Sequence, residues 1–314
     1  MNITKIYLLV NQHSGSYIGD QNFKLIEDYL TQHQQNFETS LSDRPESIIN
    51  LARIASNKIT DLDHEILLVV GGDGTLNQAV NGVKLSNHPD AIIGFIPSGT
   101  GNDFSRALKI DLDPLTALQK ILTDNQVSTV DLGKMRDLNR QKTTYFVNNV
   151  GIGFDAMVVA LTNNSKLRAF LNKIKLGNLA YSFHLLQALF KQSTFEVSVH
   201  SDYRQQNFKN VFLATTTNHP YFGGGVPILP RANVYNNKID TVIVERPNTL
   251  KLIYLFFKLF KDGSHVNSEY FHVFESDKVK ISSKTLQYGQ VDGEELGSRS
   301  YELEFTVAKF NLIH

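Results

Sequence analysis

The sequence predicts an α/β protein of two domains, on the basis of its length and of two stretches with different patterning. A chain of 314 residues exceeds the usual size of a single domain. Apolar, strand-like runs alternate with helical patterns over the first 130 residues, which predicts a doubly wound parallel sheet covered by helices on both faces. After Asp131, strand-like runs follow one another without regular helical crossovers, which predicts a mainly antiparallel β domain.

The N-terminal domain, residues 1–130, is expected to begin with a strand at residues 5–10. Further strands are expected at residues 66–70 and 91–96, and helices near residues 20–35, 45–58, 75–84 and 114–122. Ligands of such sheets gather where the parallel strands end. We therefore expect one crevice to collect three polar or glycine-rich turns, at residues 11–15, 71–77 and 97–103.

The C-terminal domain, residues 131–302, is rich in β-branched and aromatic residues arranged in short runs. These runs predict strands at residues 145–148, 195–199, 210–214, 239–244, 270–281 and 299–306. Helical patterns interrupt them at residues 155–190 and 248–261.

Composition excludes several classes of function. Lys+Arg and Asp+Glu both number 31, so no overall field attracts nucleic acid, and we expect no nucleic-acid partner. The absence of cysteine excludes disulfides, thiolate catalysis and Cys-ligated zinc. No window reaches the roughly 18 apolar residues of a membrane-spanning helix, and the N-terminus lacks the features of a signal peptide. We therefore expect a cytoplasmic protein with at most peripheral contact at the inner face of the membrane.

The most informative motif follows the apolar run Leu67-Leu68-Val69-Val70. It consists of Gly71, Gly72, Asp73, Gly74, Thr75, Leu76 and Asn77. A strand, a glycine turn and a helix start together form a place that binds phosphate, because backbone N–H groups face the anion and no Cβ blocks it.

A second glycine turn, residues 97–103, again follows a strand and carries Thr100, Asn102 and Asp103. Hydroxyls, backbone N–H groups and a carboxylate at this spacing suit a nucleotide phosphate with magnesium, with Asp73 or Asp103 facing the metal through water. Either turn alone could be simply a tight connection. Two such turns, together with residues 11–15, favour the phosphate site.

These motifs resemble the diacylglycerol kinase family in its bacterial lipid-kinase branch, which is related to the sphingosine kinases. The resemblance covers nearly the whole chain. Its residues are 71–77, 96–104 and 148–156, then Gly223, Gly224, Gly225, Pro230, Ala232, Gly263 and His265, and finally residues 290–294.

The resemblance implies a β-sandwich for the second domain and an ATP site in the cleft between the domains, with residues 303–314 returning to the N-terminal sheet. It implies ATP-dependent, magnesium-requiring transfer of phosphate to a lipid hydroxyl, most directly that of diacylglycerol. By motif match, the nucleotide-site residues are Asn11, Ser14, Gly15, Gly71, Gly72, Asp73, Gly74, Thr75, Thr100 and Asp103, with Thr39 or Ser40 as a nearby hydroxyl. Leu76, Asn77 and Asn102 complete the two glycine turns.

The catalytic candidates are Asp292 and Glu294. Phosphoryl transfer to an alcohol needs a carboxylate that accepts the hydroxyl proton, and the resemblance places this base in residues 292–294. We expect Asp292 to be the base, with Glu294 as the alternative. The same triplet can also be an ordinary Asp-Gly hairpin turn.

Two departures from the family pattern stand out. Gln12 replaces the proline that usually follows the first asparagine, which changes loop stiffness more than chemistry. Asn236-Asn237 replaces an Asp-Gly pair that helps to hold a structural magnesium in many bacterial members. The ligands that remain for this metal are Asn236 and Asp240. Among the histidines, His13, His219 and His265 are candidates for catalytic roles, and His265 is expected to be a hydrogen-bonded structural residue.

Two segments are candidates for membrane contact. Residues 250–261 are apolar nearly all round, with lysines at 251, 258 and 261, and predict either an interfacial helix or a buried helix whose lysines snorkel to solvent. Residues 165–190 carry a second basic cluster of Lys166, Arg168, Lys173 and Lys175. The expected partner is a lipid substrate at the membrane surface, and a homodimer is conceivable.

Alternative functions are a kinase of another, sphingoid-like lipid alcohol, an NAD kinase, and a catalytically silent regulatory protein that binds lipid or nucleotide.

Overall fold

The structure is a computed structural model that describes residues 2–42, 44, 47–124, 126–163, 177–202 and 204–314. The chain divides into two compact units. The first unit contains Met1–Leu132, Val234–Asn236 and Ala308–His314, and the second contains Gly133–Asn233 and Asn237–Val307. Among the described residues, no helix is both long enough and apolar enough to cross a membrane.

The first unit alternates strands and helices. Its elements are β1 (Lys5–Val10), α1 (Ile18–Gln32), β2 (Phe37–Leu41), α2 (Ser47–Asn57), β3 (Glu65–Gly71), α3 (Asp73–Lys84), β4 (Ile92–Pro97), α4 (Asp103–Leu108) and α5 (Pro114–Thr123). The strand β5 (Val127–Asp137) begins in this unit and β13 (Glu294–Ile313) ends in it. Helix α5 begins where Asp113, as N-cap, accepts the backbone N–H of Thr116, and Pro114 follows at the first helical position.

The sheet of this unit has the strand order β2-β1-β3-β4-β13, and every pairing in it is parallel. All seven residues of β3 are buried, which explains its continuous apolar run. The last strand joins the sheet through Leu312 and Ile313, which pair with Ile93 and Gly94. Apolar side chains of β1, β3 and β4 pack with α1 and α5 to form the core of the unit.

The second unit is built mainly of antiparallel strands. Its elements are β6 (Lys142–Phe146), β7 (Asn149–Gly153), α6 (Phe154–Asn163), α7 (Gly177–Lys191), β8 (Phe195–Ser201), β9 (Arg204–Thr217), β10 (Ile239–Glu245), α8 (Thr249–Lys261), a 3-10 turn (Ser264–Asn267), β11 (Phe271–Ser276) and β12 (Lys278–Val291). The end of β5 and most of β13 also belong to it.

Two long strands organise this unit. The N-terminal parts of β9 and β12 both pair with β8, whereas their C-terminal parts both pair with β7. Each long strand therefore passes from one set of partners to another, as strands do where two layers of sheet share a core. That core contains the fully buried Phe146, Val199 and Leu303. A second core lies around Phe212, Leu252 and Phe271.

The predicted fold class is confirmed for both halves of the chain, a parallel α/β unit and an antiparallel β unit. The predicted run at residues 270–281 is divided at Asp277 between β11, which pairs with β10, and β12, which pairs with β7, β8 and β13. The predicted helical stretch 155–190 contains α6 and α7. The basic cluster of Lys166, Arg168, Lys173 and Lys175 lies outside the described residues.

Candidate active site

Three turns of the first unit meet at one edge of its parallel sheet. Strand register aligns Val10 with Val70 and Gly71 with Pro97, so β1, β3 and β4 end side by side. The backbone N–H of Asn11 donates to Val70 O at 3.0 Å, and that of Ser98 donates to Gly71 O at 2.7 Å. The predicted convergence of residues 11–15, 71–77 and 97–103 is therefore seen within this unit.

Side chains tie the first turn to the second. Asn11 Nδ2 donates to Thr75 Oγ1 at 3.0 Å, and Ser14 Oγ donates back to Asn11 O at 2.8 Å. Gly15 lies against the third turn, because a Cβ built on it would stand 2.3 Å from Ser98 O. The asparagine and serine of the first turn thus shape the loop itself, and Thr75 is held at the start of α3.

Two of the glycines in this region have different physical reasons for being glycine. A Cβ on Gly99 would lie 2.7 Å from Gly72 Cα, so the second and third turns approach too closely for a side chain. A Cβ on Gly74 would meet no atom within 4 Å. Packing within the protein therefore does not require glycine at position 74, and the missing side chain leaves the backbone open to an approaching group.

The two carboxylates of the turns are linked. Asp73 Oδ2 accepts the backbone N–H of Asp103 at 2.7 Å. Asp103 is buried, and its Oδ1 accepts Arg106 Nη1 at 2.7 Å. Asn102 closes its own turn, since its Oδ1 accepts the N–H of Gly99 at 3.1 Å. Sequence analysis missed Arg106, whose only signal is its position three residues after Asp103 on a helix, a spacing that ordinary surface pairs share.

The other predicted nucleotide residues differ in exposure. Thr100 is exposed, whereas Leu76 is a fully buried residue of α3. Asn77 Oδ1 accepts Asn81 Nδ2 at 2.8 Å within α3. Thr39 and Ser40 lie on β2 opposite Leu8 and Leu9. Thr39 Oγ1 is shielded from solvent and has no hydrogen-bond partner in the described residues.

The residues at this edge fit a nucleotide phosphate. Helix α3 has 12 residues, and its N-cap Gly72 has no side chain to cap the first-turn N–H groups. These donors and the positive end of the helix dipole favour an anion. The open space at Gly74 and the partnerless Thr39 hydroxyl agree with this fit. Among the described residues, no group of three or more His, Asp or Glu side chains forms a metal cluster, so a magnesium ion here would depend on phosphate oxygens and water as ligands.

The catalytic candidates lie in the second unit, in the turn between β12 and β13. Val291 pairs with Glu294, which leaves Asp292 and Gly293 as a two-residue loop. Their φ angles are 45° and 84°, as in a type I′ turn. The Asp-Gly pair is therefore a hairpin turn, and Glu294 is exposed at the start of β13.

The Asp292 carboxylate is held by three backbone donors. Its Oδ2 accepts the N–H of Val147 at 2.7 Å, and its Oδ1 accepts those of Asn148 and Asn149 at 3.0 and 2.8 Å. An ionised carboxylate, which only accepts hydrogen bonds, satisfies such a cluster of donors. The position of this carboxylate is thus set by the start of β7.

A buried polar network lies beneath this turn. Gln290 Oε1 accepts the N–H of Gly293 at 2.9 Å, and Gln290 Nε2 donates to Asp155 Oδ2 at 2.9 Å and to Asn149 Oδ1. Burial raises the pKa of Asp155 to about 6, and Asp155 Oδ1 has no hydrogen-bond partner in the described residues. Sequence analysis did not assign Asp155 or Gln290 to the site, although Asp155 follows the glycine pattern of residues 151–153.

The histidines have mainly structural surroundings. His219 is fully buried, its Nε2 lies 2.7 Å from Asn148 Oδ1, and burial lowers its pKa to about 3, so the ring is neutral. His265 Nε2 lies 2.9 Å from Ile228 O, in agreement with the structural role expected for it. His13 is exposed and packs edge-on against Tyr17.

The ligands predicted for a structural magnesium belong to different units, Asn236 to the first and Asp240 to the second. Asp240 is buried on β10 opposite Glu275, and burial, followed by the charge of Glu275, raises its pKa to about 6. Lys238 pairs with Glu275 at 2.9 Å. Asp240 Oδ1 is buried and has no hydrogen-bond partner in the described residues, so this carboxylate oxygen suits a cation, and the structural metal stays a prediction.

Comparison with known proteins gives two family matches that together cover most of the chain. Residues 5–135 match the model described as "Diacylglycerol kinase catalytic domain". Residues 148–314 match "YegS C-terminal NAD kinase beta sandwich-like domain". These matches confirm the predicted fold class, an N-terminal α/β domain followed by a C-terminal β-sandwich-like domain.

Individual relatives agree with these matches. A Bacillus subtilis protein named "Putative lipid kinase YtlR" is 29% identical over 299 residues, 95% of both chains. A Staphylococcus carnosus protein named "Diacylglycerol kinase" is 32% identical over 247 residues, 77% of this chain and 74% of that protein. A crystal structure of a Bacillus anthracis protein described as a putative diacylglycerol kinase superposes with a TM-score of 0.76 at 22% identity, covering 100% of this chain and 98% of that one. At this identity the structural likeness shows the fold.

Proposed function

Because the chain belongs to the diacylglycerol kinase family of lipid kinases, we propose that it transfers the γ-phosphate of ATP to the hydroxyl of diacylglycerol and forms phosphatidic acid. The observation that carries this proposal is the convergence of three turns on one edge of the parallel sheet, where the N-terminus of α3 is left without a side-chain cap. Such an edge suits the phosphates of a nucleotide.

In this proposal the first unit binds ATP. The first-turn N–H groups of α3, the open backbone at Gly74 and the Thr39 hydroxyl bind and orient the phosphates and their neighbouring groups. Asp73 and Asp103, held by hydrogen bonds at the same edge, would hold magnesium through water. Magnesium, when bound with ATP, neutralises charge that develops on the transferred group.

The second unit supplies the proton acceptor. As the lipid oxygen forms its bond to the γ-phosphorus and the bond to the leaving oxygen of the diphosphate breaks, the hydroxyl proton passes to a carboxylate. We assign this role to Asp292, whose carboxylate is fixed by three backbone N–H groups, and keep Glu294 as the alternative because its side chain is exposed.

An apolar cavity in the second unit supports a lipid as the acceptor. Its lining is hydrophobic apart from His265, and includes Phe154, Phe212, Phe222, Leu252, Phe256 and Phe271. An acyl chain needs only such a surface, since it offers no group for hydrogen bonding. The cavity therefore suits the hydrocarbon part of a lipid and does not discriminate between a glycerol and a sphingoid headgroup.

The decisive experiment follows radiolabel from [γ-³²P]ATP into defined acceptors. Diacylglycerol, ceramide, sphingosine and NAD are offered separately in detergent mixed micelles to the full-length protein. Label in phosphatidic acid alone supports the proposal. Label in a sphingoid product would identify a sphingoid lipid as the substrate and would still support a lipid kinase. Demonstrated ATP binding with no labelled product from any acceptor would favour a regulatory protein.

An NAD kinase is the second candidate, because the C-terminal match is to a domain described as NAD kinase beta sandwich-like. That description concerns the architecture of the domain. The apolar lining of the cavity argues for a lipid acceptor, since a dinucleotide needs polar contacts for its ribose and phosphate groups. Label transferred to NAD in the same experiment would overturn the lipid assignment.

A further inference from the structure

Helix α8 (Thr249–Lys261) has two apolar faces, and within the described part of the chain only the inner face is covered. Its inner face carries Leu252 and Leu259, which are buried, together with Leu255 and Phe256, and all four line the apolar cavity. This inner face accounts for the position of the helix in the second unit.

The outer face of α8 is apolar and exposed. It consists of Leu250, Ile253, Tyr254, Phe257 and Phe260. Each of these residues lies three or four positions from another member of the set, so they form one stripe along the helix. Leu250 is 81% exposed, Phe257 58% and Phe260 61%. A contiguous stripe of large apolar side chains in contact with solvent indicates a surface that binds something apolar.

Lysines border this stripe. Lys258 lies over the Tyr254 ring at 5.1 Å, Lys261 over the Phe257 ring at 5.7 Å, and Lys251 over the Tyr270 ring at 5.3 Å. The helix itself contains no acidic residue. Acids beside the helix include Asp262, at the C-cap, and Glu269, whose carboxylate lies 3.6 Å from Lys251 Nζ. Cationic groups thus lie beside the apolar rings, at the boundary where phospholipid headgroups lie beside acyl chains.

We propose that the outer face of α8 docks on an anionic phospholipid bilayer, with its aromatic and aliphatic side chains in the upper acyl region and its lysines among the headgroup phosphates. The length of the helix, 13 residues, suits a position in the plane of the interface. A second copy of the chain fits this face less well. A two-fold contact would bring a helix with three lysines and no acid against an identical helix.

Docking through α8 is a separate property from the proposed transfer reaction. Its role, to bring the enzyme to a lipid substrate, rests on the proposed function. The helix that meets the bilayer on its outer face lines the apolar cavity with its inner face. A lipid of the bilayer would therefore have only the thickness of one helix between the membrane and the cavity. Vesicle binding without ATP tests the docking separately from the kinase activity.

The absence of tryptophan from the chain permits a direct test. Phe257→Trp places a single reporter on the outer face of α8. Leu286→Trp is the matched control, because Leu286 is 69% exposed on β12 of the same unit and lies outside the helix. Both proteins are titrated with vesicles of phosphatidylcholine alone and of phosphatidylcholine with phosphatidylglycerol.

On the vesicles with phosphatidylglycerol, we expect the Phe257→Trp emission to shift to shorter wavelength and to be quenched by lipids brominated near the headgroup, and the control emission to stay unchanged. Replacing both Lys258 and Lys261 by glutamine should weaken partitioning into these vesicles more than tenfold. Raising the salt concentration should also weaken the partitioning of the wild type. Phe260→Ser should weaken it about tenfold on the same vesicles.

Three outcomes would overturn the proposal. The first is co-sedimentation of the protein with vesicles while the Phe257→Trp emission stays unchanged, since binding would then use another surface. The second is a blue shift that depends on protein concentration in the absence of vesicles, which would identify a second copy as the occupant. The third is equal partitioning of the double lysine variant and the wild type. If the wild type binds vesicles but phosphorylates no lipid, the proposed reaction would be contradicted and the docking proposal would still be supported.

Discussion

Asp292 and Asn149 hold each other through reciprocal hydrogen bonds. The backbone N–H of Asp292 donates to Asn149 O at 2.9 Å, and the backbone N–H of Asn149 donates to Asp292 Oδ1 at 2.8 Å. The hairpin turn between β12 and β13 is thereby fixed to the start of β7. A carboxylate held in this way has a defined position before any substrate binds, as a catalytic group requires.

Replacing Asp292 by asparagine should therefore have two effects. The amide NH₂ cannot accept the N–H groups that now face both carboxylate oxygens, and leaving a donor unpaired should lower the free energy of unfolding by about 1–3 kcal/mol. Phosphate transfer should also be abolished, with ATP binding still measurable. Urea unfolding and the radiolabel assay measure the two effects separately. Glu294→Gln, at an exposed position, is the control for stability, and full activity of both variants would contradict the assignment of the base.

Gly74→Ala and Gly99→Ala form a matched pair. The alanine methyl at position 74 enters open space, so the melting temperature should hold or rise slightly, whereas binding of a fluorescent ATP analogue should weaken at least tenfold. The methyl at position 99 would stand 2.7 Å from Gly72 Cα, so this variant should lose stability by about 1–3 kcal/mol. Unchanged nucleotide binding by the folded Gly74→Ala protein would remove Gly74 from the phosphate site.

Asp155 should make stability fall as the pH rises. Burial raises the pKa of this carboxyl from its ordinary value of 3.8 to about 6 in the folded protein, so folding favours the protonated form. The contribution of Asp155 to the free energy of unfolding is fully present below pH 4 and is lost as the pH rises through 6. The total loss is roughly 3 kcal/mol. Asp155→Asn should flatten this part of the profile of unfolding free energy against pH, since asparagine can still accept from Gln290. An unchanged slope between pH 4 and 7 in the variant would be inconsistent with the buried network.

His219 should act in the opposite direction. Burial lowers the pKa of the ring from 6.5 to about 3, so folding favours the neutral form. Stability from this source is present above pH 6.5 and is lost as the pH falls toward 3. His219→Gln should reduce the loss of stability between pH 6 and 4 that chemical denaturation measures.

Pattern predicted most elements of the first unit, but it missed the short elements β2 and α4. The continuous apolar run before Gly71 predicts a strand buried on both faces, and all of β3 is buried. The three turns were placed together because parallel strands end at one edge, which is a property of the fold class and needs no coordinates. Arg106 escaped prediction, because an exposed arginine next to an acidic residue has no pattern that separates a site contact from an ordinary surface pair.

In the second unit, the local sequence of residues 292–293 predicts a hairpin turn, and the structure has one. The donors to Asp292 come from residues 147–149, more than 140 residues earlier in the chain. The pairing of β7 with β12 brings them together. No periodicity or spacing rule encodes such a long-range contact, and the buried link from Asp155 through Gln290 was missed for the same reason.

The sequence by itself determined most of the strands and helices, the glycine turns that suit phosphate, and the family to which the chain belongs, because these depend on local propensity and on motif spacing. Only the tertiary structure decided which donors hold the Asp292 carboxylate, which buried groups have displaced pKa values, and which face of α8 is covered. Each of these is set by the neighbours that packing supplies, and burial and charge act through space irrespective of distance along the chain.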